Sequence, residues 1–231
     1  MPPRLLLPER MDDPALPAAE HTRALRGLAR LNALSGRAGL LWPALRQLAI
    51  ELGRPLRVLD VATGSGDQVF DLARRAVGAK RPMRFLGLDI SPVAVDTANM
   101  SAHQVPSVVF AVEDVLHDPL PVGFDAVLCS LFLHHLSEAQ AVELLRRMSL
   151  ATNHLVSVND LSRSTVNRLL VTASCQLVSR SPVVHYDGPQ SVRAAFTPAE
   201  ARVLAAEAGL VGAVVQAKFP CRWLMTWRKP Q

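Results

Sequence analysis

A strand that runs directly into a glycine turn and then a helix constrains the fold of this chain more than any other feature. The apolar run 58–59 leads to Asp60, the small-residue turn 62–66 follows, and a helical pattern begins at Asp67. Small residues let a ligand approach the backbone, and the first N–H groups of the helix point toward it unpaired. The segment therefore predicts a ligand site at the carboxyl end of a parallel strand.

Short β-branched runs alternate with helical segments from residue 56 onward, which is the pattern of βαβ units. The last two runs are joined tightly around Pro220, so they can only be antiparallel neighbours, because a parallel crossover needs about a dozen residues. We therefore predict an α/β fold with a Rossmann-like, doubly wound seven-stranded sheet, mostly parallel, with an antiparallel C-terminal strand. The predicted strands are 57–62, 83–89, 107–112, 125–130, 154–159, 211–219 and 221–227.

Residues 1–55 do not follow this alternation. Two helical patterns, at 17–34 and 40–52, precede the first strand and are separated by Gly36 and Gly39. We therefore predict an N-terminal helical cap or lid ahead of the main domain.

The main domain is predicted to cover 56–231, and within it the segment 180–196 has no clear helix or strand pattern. Long ordered loops in compact domains are often functional lids. We therefore predict a substrate-side loop there, and its His185 and Tyr186 become candidates for base or substrate contact.

Composition narrows the class of protein. The 231 residues carry 25 Lys and Arg against 20 Asp and Glu, a formal charge of +5, and 49% of them are hydrophobic. That is enough apolar material for a full core, which excludes global disorder. No run approaches the ~18 consecutive apolar residues of a membrane-spanning helix, and the leucines before Pro8 are too few for a signal peptide. We therefore expect a cytoplasmic protein without a membrane span.

The spacing of the cysteines and arginines indicates whether a metal site or a nucleic-acid partner is expected. The three cysteines, Cys129, Cys175 and Cys221, are widely spaced and form no ligand motif, so we expect reduced thiols and no metal. The arginines are scattered, and no aromatic residues interleave with them, which argues against a nucleic-acid partner. A small-molecule substrate and a monomer or homodimer are the expectations.

Acidic residues end three of the predicted parallel strands: Asp60, Asp89 and Asp114. Because these strand ends meet at one edge, the carboxylates can accept hydrogen bonds from an amine, two ribose hydroxyls and an adenine amine. The turn also lacks the GxGxxG pattern of an NAD-dependent reductase. Two alternatives remain open: Asp114 could form an Asx turn, and Asp89 could cap the next helix, although Ser91 is the better cap.

These features together resemble the class I S-adenosylmethionine-dependent methyltransferases, over roughly residues 56–227. The usual first-strand pattern is D/E-x-G-x-G-x-G, and the segment 60–66 reads DVATGSG, with Ala62 in place of the first glycine. A positive φ at that alanine would be strained. The run 124–136, FDAVLCSLFLHHL, resembles the fourth strand and following loop of the small-molecule branch, which includes quinone-biosynthesis enzymes.

The resemblance implies S-adenosylmethionine as cofactor and S-adenosylhomocysteine as product. It places the methionine part at the glycine turn, the ribose at Asp89 and the adenine at Asp114 and Val115. The predicted cofactor-binding residues are Asp60, Ala62, Thr63, Gly64, Ser65, Gly66, Asp89, Ile90, Asp114, Val115 and Ser130.

Histidines supply the candidate chemistry. His134 and His135 directly follow the fourth strand, where the open end of the sheet faces the substrate. Methyl transfer to a hydroxyl can require a base, and the ordinary pKa of histidine suits that role. We therefore predict His134, His135 and then His185 as catalytic candidates, although a histidine pair at this position can also cap or pack.

The sequence thus predicts a methyltransferase acting on a small organic acceptor in secondary metabolism, with O-methylation of a phenolic, polyketide-like or quinone-like compound leading. C-methylation of a quinone-type ring and a non-catalytic S-adenosylmethionine-binding or partner-binding domain are the alternatives.

Overall fold

The computed structural model describes residues 3–13, 15–34, 37–103 and 105–230. Its seven strands form one sheet in the order β3-β2-β1-β4-β5-β7-β6. β1 to β5 run parallel, and β7 pairs antiparallel with both β5 and β6. The strands are β1 (Leu56–Val61), β2 (Met83–Asp89), β3 (Val108–Val112), β4 (Phe124–Ser130), β5 (Thr152–Leu161), β6 (Val214–Lys218) and β7 (Arg222–Arg228).

Helices cover both faces of the sheet, as the predicted doubly wound fold requires. They are α1 (Ala18–Leu34), α2 (Arg37–Leu52), α3 (Asp67–Gly78), α4 (Pro92–Ala102), α5 (Glu138–Ala151), α6 (Thr165–Val178), α7 (Pro182–Ala194) and α8 (Pro198–Glu207). Two short 3₁₀ turns, η1 (Arg10–Asp12) and η2 (Leu133–His135), complete the elements. Among the helices of the described part of the chain, none is long and apolar enough to cross a membrane.

Two apolar clusters form the core, one on each face of the sheet. The first face joins β1, β2 and β3 to α2, α3 and α4, with Val58 and Leu72 fully buried. The second joins β4, β5 and β7 to α5 and α8, with Leu144 and Trp223 fully buried. The parallel strands are therefore buried on both sides, and their carboxyl ends open at one edge.

The N-terminal region differs from the predicted single cap at 1–55. In α2, Leu41, Leu45 and Leu48 are buried in the same cluster as β1, so this helix belongs to the layer that flanks the sheet. Helix α1 packs instead on α6 and α7. Gly39 lies inside α2 rather than interrupting it, and Gly36 lies outside the described residues. A lid role for the remaining segment stays a prediction.

The predicted loop at 180–196 is wrong as a description of the backbone, because most of it is α7 (Pro182–Ala194). Pro182 takes the first helical position, where a missing N–H costs nothing. Gly188 and Pro189 made the segment read as irregular. Gly188 packs against Cys175 on α6, where any side chain would collide, so the glycine allows two helices to approach closely.

Candidate active site

The glycine turn after β1 is held in a strained backbone conformation. Ala62, Gly64 and Gly66 have φ values of +53°, +59° and +78°, in the left-handed region. A side chain makes a positive φ unfavourable, so the backbone at Ala62 carries strain that glycine would avoid. Asp60 is buried beneath the turn, where its Oδ2 accepts a hydrogen bond from Thr63 Oγ1 at 2.7 Å. The turn is therefore fixed from below by the last polar residue of β1.

Asp89 joins this turn to the end of β2. Its Oδ2 accepts the Gly64 N–H at 2.7 Å, and its Oδ1 accepts the Ser91 N–H at 3.0 Å. The cap of α4 is Ser91, whose side chain accepts from Ala94 N–H at 3.3 Å, so helix capping does not explain Asp89. The side chain of the neighbouring Ile90 is exposed. The structure therefore places the predicted ribose carboxylate directly against the predicted methionine turn.

Asp114 forms a local turn after β3. Its carboxylate accepts the Leu116 and His117 N–H groups at 2.9 and 3.3 Å and lies 2.8 Å from His117 Nδ1. The hydrogen bond from His117 lowers the pKa of Asp114; burial opposes it, and the two amides and the charge of His117 add to the lowering. Of the two interpretations left open, the Asx-type turn describes its contacts here. Val115 beside it is buried in the core.

Ser130 ends β4 and shares a hydrogen bond with the next strand. Its Oγ accepts from Asn159 Nδ2 at 2.9 Å.

Cys129 precedes Ser130 and is fully buried. Burial, followed by the charges of Asp160 and Asp60, raises the pKa of its thiol well above the ordinary value. This cysteine therefore stays protonated and is no nucleophile.

A buried histidine–aspartate pair stands at the ends of β4 and β5. His134 Nδ1 lies 2.6 Å from Asp160 Oδ1, and the His134 backbone N–H donates to Asp160 Oδ2 at 3.1 Å. Only 3% of His134 is exposed, and Asp160 is fully buried. Because a carboxylate can only accept, the proton of this contact sits on Nδ1, which leaves Nε2 as the ring nitrogen on the side away from Asp160.

The charge state of this pair is set by opposing effects. Burial alone raises the pKa of Asp160, but the charge and hydrogen bond of His134, with the Leu161 and His134 amides, outweigh it and lower the pKa. Asp160 thus remains a carboxylate. Sequence reasoning did not select it, although it directly follows the predicted strand 154–159. The available signal was an acidic residue at the carboxyl end of an apolar strand, the same signal that selected Asp89.

His135 lies beside His134 and closer to solvent. The two rings are 4.3 Å apart between centroids, and His135 Nε2 lies 4.0 Å from Glu9 Oε2. A cavity of about 330 Å³ adjoins both rings. The residues lining it are Leu6, Leu7, Pro8, Glu9, His134, His135 and Ala194.

The segment 3–13, which we call the strap, crosses the mouth of this site. Arg4 donates to the carbonyls of Ala194, His134 and Leu136 at 2.6, 3.2 and 2.5 Å, and its guanidinium lies 3.8 Å from the Phe196 ring centre. These contacts fix the beginning of the strap against the turn that carries the histidines.

The far end of the strap is fixed to α7. The backbone N–H groups of Arg10 and Met11 donate to the two oxygens of Asp187 at 2.8 and 3.1 Å. Ser191 Oγ donates to Glu9 Oε1 at 2.5 Å. Helix α7 therefore anchors the first part of the predicted 1–55 cap.

The structure does not bring His185 to the histidine pair's cavity. Its Nε2 lies 2.7 Å from the Ser179 carbonyl oxygen, ahead of α7, and it is absent from the cavity lining. Tyr186 lies under the Arg10 guanidinium, 4.2 Å from it. Tyr186 therefore sits where the strap meets α7, whereas His185 contacts the link between α6 and α7, and a part in catalysis for His185 stays a prediction.

Known proteins share this fold. Residues 58–154 match the protein family described as Methyltransferase domain. That part of the chain therefore carries a methyltransferase domain. The predicted family and fold class are thereby confirmed. No curated protein matches the sequence at a significant level.

Solved structures similar to this methyltransferase chain include human N-acetylserotonin methyltransferase in complex with SAM, at 20% identity over 92% of this chain and 57% of that one, with a TM-score of 0.66. An O-methyltransferase family 2 protein from Planctomyces limnophilus DSM 3776, in complex with apigenin, is 17% identical over 94% of this chain and 63% of that one, with a TM-score of 0.64. Magnesium protoporphyrin IX methyltransferase from Synechocystis PCC 6803 with bound SAH is 15% identical over 92% and 84%, with a TM-score of 0.54.

At these identities the likeness concerns the fold. The chain spans about 60% of the length of the first solved structures it matches.

Proposed function

We propose that this methyltransferase transfers a methyl group from S-adenosylmethionine to a hydroxyl oxygen of a small aromatic acceptor of the phenolic, polyketide-like or quinone-like class. One observation carries the choice of oxygen: a buried histidine with its Nδ1 held by Asp160 adjoins a cavity at the carboxyl end of β4. Such a pair is suited to remove a proton from a hydroxyl, a step that an acceptor already ionised would not need. An apigenin complex of an O-methyltransferase with the same fold supports this acceptor class.

The residues at the glycine turn fit the cofactor. A Cβ built on Gly64 meets nothing within 4 Å, so the turn offers open space beside a backbone of positive φ. Each carboxylate oxygen of Asp89 accepts one backbone N–H. Because a carboxylate has about four acceptor positions, Asp89 can also accept hydrogen bonds from ribose hydroxyls. Asp60 and Gly66 would flank the methionine part, and Asp114 would lie toward the adenine.

The bound cofactor supplies an electrophilic methyl group on a sulfonium, and the chain's own residues supply alignment and proton removal. His134 Nε2 would accept the hydroxyl proton of the acceptor, which frees its oxygen to take the methyl group that the cofactor would supply. Asp160 holds the ring in the tautomer that leaves Nε2 basic and stabilises the imidazolium that forms. The proton then passes to solvent when product leaves.

Closure of the site falls to the strap. Its Leu6 and Leu7 line the cavity beside the histidines and present apolar surface to an aromatic ring. Displacing water from the cavity strengthens the hydrogen bonds of the base and prevents solvent from competing for the site. Acceptor selection by the strap and α7, a cytoplasmic location, a part in secondary metabolism and the monomeric or dimeric state all belong to this proposal.

Product identification tests the proposal. The purified chain is titrated calorimetrically with S-adenosylmethionine and S-adenosylhomocysteine, and then incubated with a panel of flavonoids, resorcinols and hydroquinones. Mass spectrometry and NMR locate the new methyl group. Saturable cofactor binding and a methyl ether product are expected. A new carbon–methyl bond would move the assignment to C-methylation, and the absence of heat from both cofactor forms would contradict cofactor binding itself.

A further inference from the structure

Three metal-ligating side chains meet where the strap crosses the histidine pair. Glu9, His134 and His135 each offer a donor atom, and these atoms all lie within 4.8 Å of one another. The contact between Glu9 Oε2 and His135 Nε2 measures 4.0 Å. None of the three is fully exposed, so the cluster is unlike the scattered acidic groups of a protein surface.

Two of these donors are oriented by a second partner. Asp160 accepts the Nδ1 proton of His134 at 2.6 Å, which directs the Nε2 lone pair away from the core. The Ser191 hydroxyl donates to Glu9 Oε1 at 2.5 Å, which leaves Oε2 on the side of the histidines. Metal-binding histidines and carboxylates are regularly held in this way by outer hydrogen bonds, which fix the tautomer and the direction of the donor atom.

We propose that Glu9, His134 and His135 bind one divalent transition-metal ion of the Zn²⁺ class, a site that bridges the strap and the β4 end of the sheet. Two imidazoles and one carboxylate form a donor set that Zn²⁺ takes in sites with an open fourth position. Glu9, His134 and His135 all line the cavity of about 330 Å³, which gives room for a further ligand.

The donor atoms, which all lie within 4.8 Å of one another, must draw closer to bind one ion. Metal–nitrogen and metal–oxygen bonds of about 2.0–2.2 Å place neighbouring tetrahedral donors roughly 3.4 Å apart. The 4.0 Å separation between Glu9 and His135 must therefore shorten by about 0.6 Å. Rotation of the Glu9 side chain can supply this, because the strap carries it outside any strand or long helix.

Metal binding has a consequence for catalysis that rests on the proposed function. The ion takes the same Nε2 lone pair of His134 that would accept the acceptor's proton, so one site cannot do both. It also ties the strap to the histidine turn through Glu9. The metal-bound chain is therefore closed and inactive, and the metal-free chain is the active methyltransferase.

The binding experiment uses the full chain stripped with a chelator, in the absence of acceptor and cofactor. Zn²⁺ is titrated calorimetrically, and Co²⁺ is followed by its visible absorption, which is intense in a tetrahedral site. One ion per chain is expected, with affinity falling at least tenfold in Glu9→Gln and in His135→Asn. Circular dichroism and thermal unfolding establish that each variant is folded, and either folded variant is sufficient for the comparison.

The matched control is His154→Asn. His154 lies 3.9 Å from the Asp125 carboxylate and its side chain is 28% exposed, whereas His135 lies 4.0 Å from Glu9 and its side chain is 26% exposed. Among the described residues, His154 belongs to no group of three possible metal ligands. Zn²⁺ affinity unchanged in this control, with the loss in the two site variants, supports the site. Parent-like binding by both site variants, or less than one saturable ion per chain, would overturn it.

A second arm separates this inference from the proposed function. If methyl transfer is observed, its rate should fall in proportion to Zn²⁺ occupancy and return with chelator. A full rate at saturating Zn²⁺ would overturn the claim that the two uses of His134 exclude each other. Binding measured without substrates stands or falls independently of whether any acceptor is methylated.

Discussion

The two halves of the site are assembled in different ways. On the cofactor side, Asp114 draws its hydrogen bonds from within four residues, and Asp60 bonds to Thr63, three residues on. On the acceptor side, Arg4 reaches a carbonyl 130 residues away, and Glu9 is held by a hydroxyl 182 residues away. The cofactor half is therefore built from neighbouring strand ends and their turns, with 25 residues between Gly64 and Asp89, while the acceptor half exists only once much more distant segments have docked.

This difference predicts that substitutions in the two halves will change different measured quantities. Changes on the cofactor side should alter cofactor affinity and leave the chemistry intact. Changes on the acceptor side should alter turnover or acceptor binding and leave cofactor affinity intact. A substitution that moves both quantities would break the comparison.

The largest effect is expected at His134. Replacing His134 with alanine removes the proposed base, so turnover should fall about 10²–10⁴-fold, while the cofactor dissociation constant stays within twofold of the parent. Steady-state kinetics and calorimetry measure the two quantities. The loss should shrink for acceptors whose hydroxyl is already ionised at the assay pH.

Asp160→Asn should follow His134→Ala in direction, because the amide no longer stabilises the imidazolium. Its pH–rate profile should shift, which a merely structural role would not produce. Retention of more than half of the parent rate by both variants would remove the base from the mechanism and leave alignment as the source of catalysis.

A smaller effect, on binding alone, is expected at Asp89. Asp89→Ala loses the ribose hydrogen bonds, each worth about 1.5–3 kcal/mol for an ionised acceptor, and also releases the Gly64 amide. Cofactor affinity should therefore fall at least tenfold, measured calorimetrically with S-adenosylhomocysteine. The exposed Asp96 on α4 gives the matched control, Asp96→Ala, with expected parent affinity. A change below threefold in Asp89→Ala would show that the ribose assignment is wrong.

The same contrast explains which parts could be predicted from the sequence. The alternation of strands and helices predicted β2 to the residue, because its signal is contained within a few neighbouring residues. The sequence could also predict that Asp60 and Asp89 lie at the same edge of the sheet, because parallel strands place their carboxyl ends at one edge.

The acceptor half could not be predicted in this way. Nothing near Arg4 or Glu9 in the sequence indicates that α7 will supply Asp187 and Ser191 to hold them. Helix α7 itself was hidden because Gly188, which permits its close approach to α6, reads as a loop residue when its partner is unknown. Long-range docking leaves no local pattern.

A substitution in the strap should weaken acceptor binding moderately and leave cofactor binding unchanged. Arg4→Ala removes three hydrogen bonds from a guanidinium and its contact with the Phe196 ring, a loss of about 1–3 kcal/mol if part of it is recovered by water. The thermal midpoint should fall roughly 2–8 °C, and the KM for acceptor should rise several-fold. The exposed Arg180 supplies the control, Arg180→Ala. Weakened cofactor binding in Arg4→Ala would show that the strap serves both halves.

The smallest effect is expected at Asp114, whose carboxylate already serves its own turn. Asp114→Asn keeps an oxygen that can accept the Leu116 amide, but it loses the charge that would face an adenine amine. A hydrogen bond between uncharged groups contributes about 0.5–1.5 kcal/mol, so S-adenosylhomocysteine affinity should fall roughly two- to tenfold. S-inosylhomocysteine, which lacks the exocyclic amine, isolates that bond: the parent should bind it more weakly, and the substitution should add no further loss. An equal loss for both ligands would mean that Asp114 acts only by shaping the turn after β3, and the adenine would then have to be recognised by backbone groups alone.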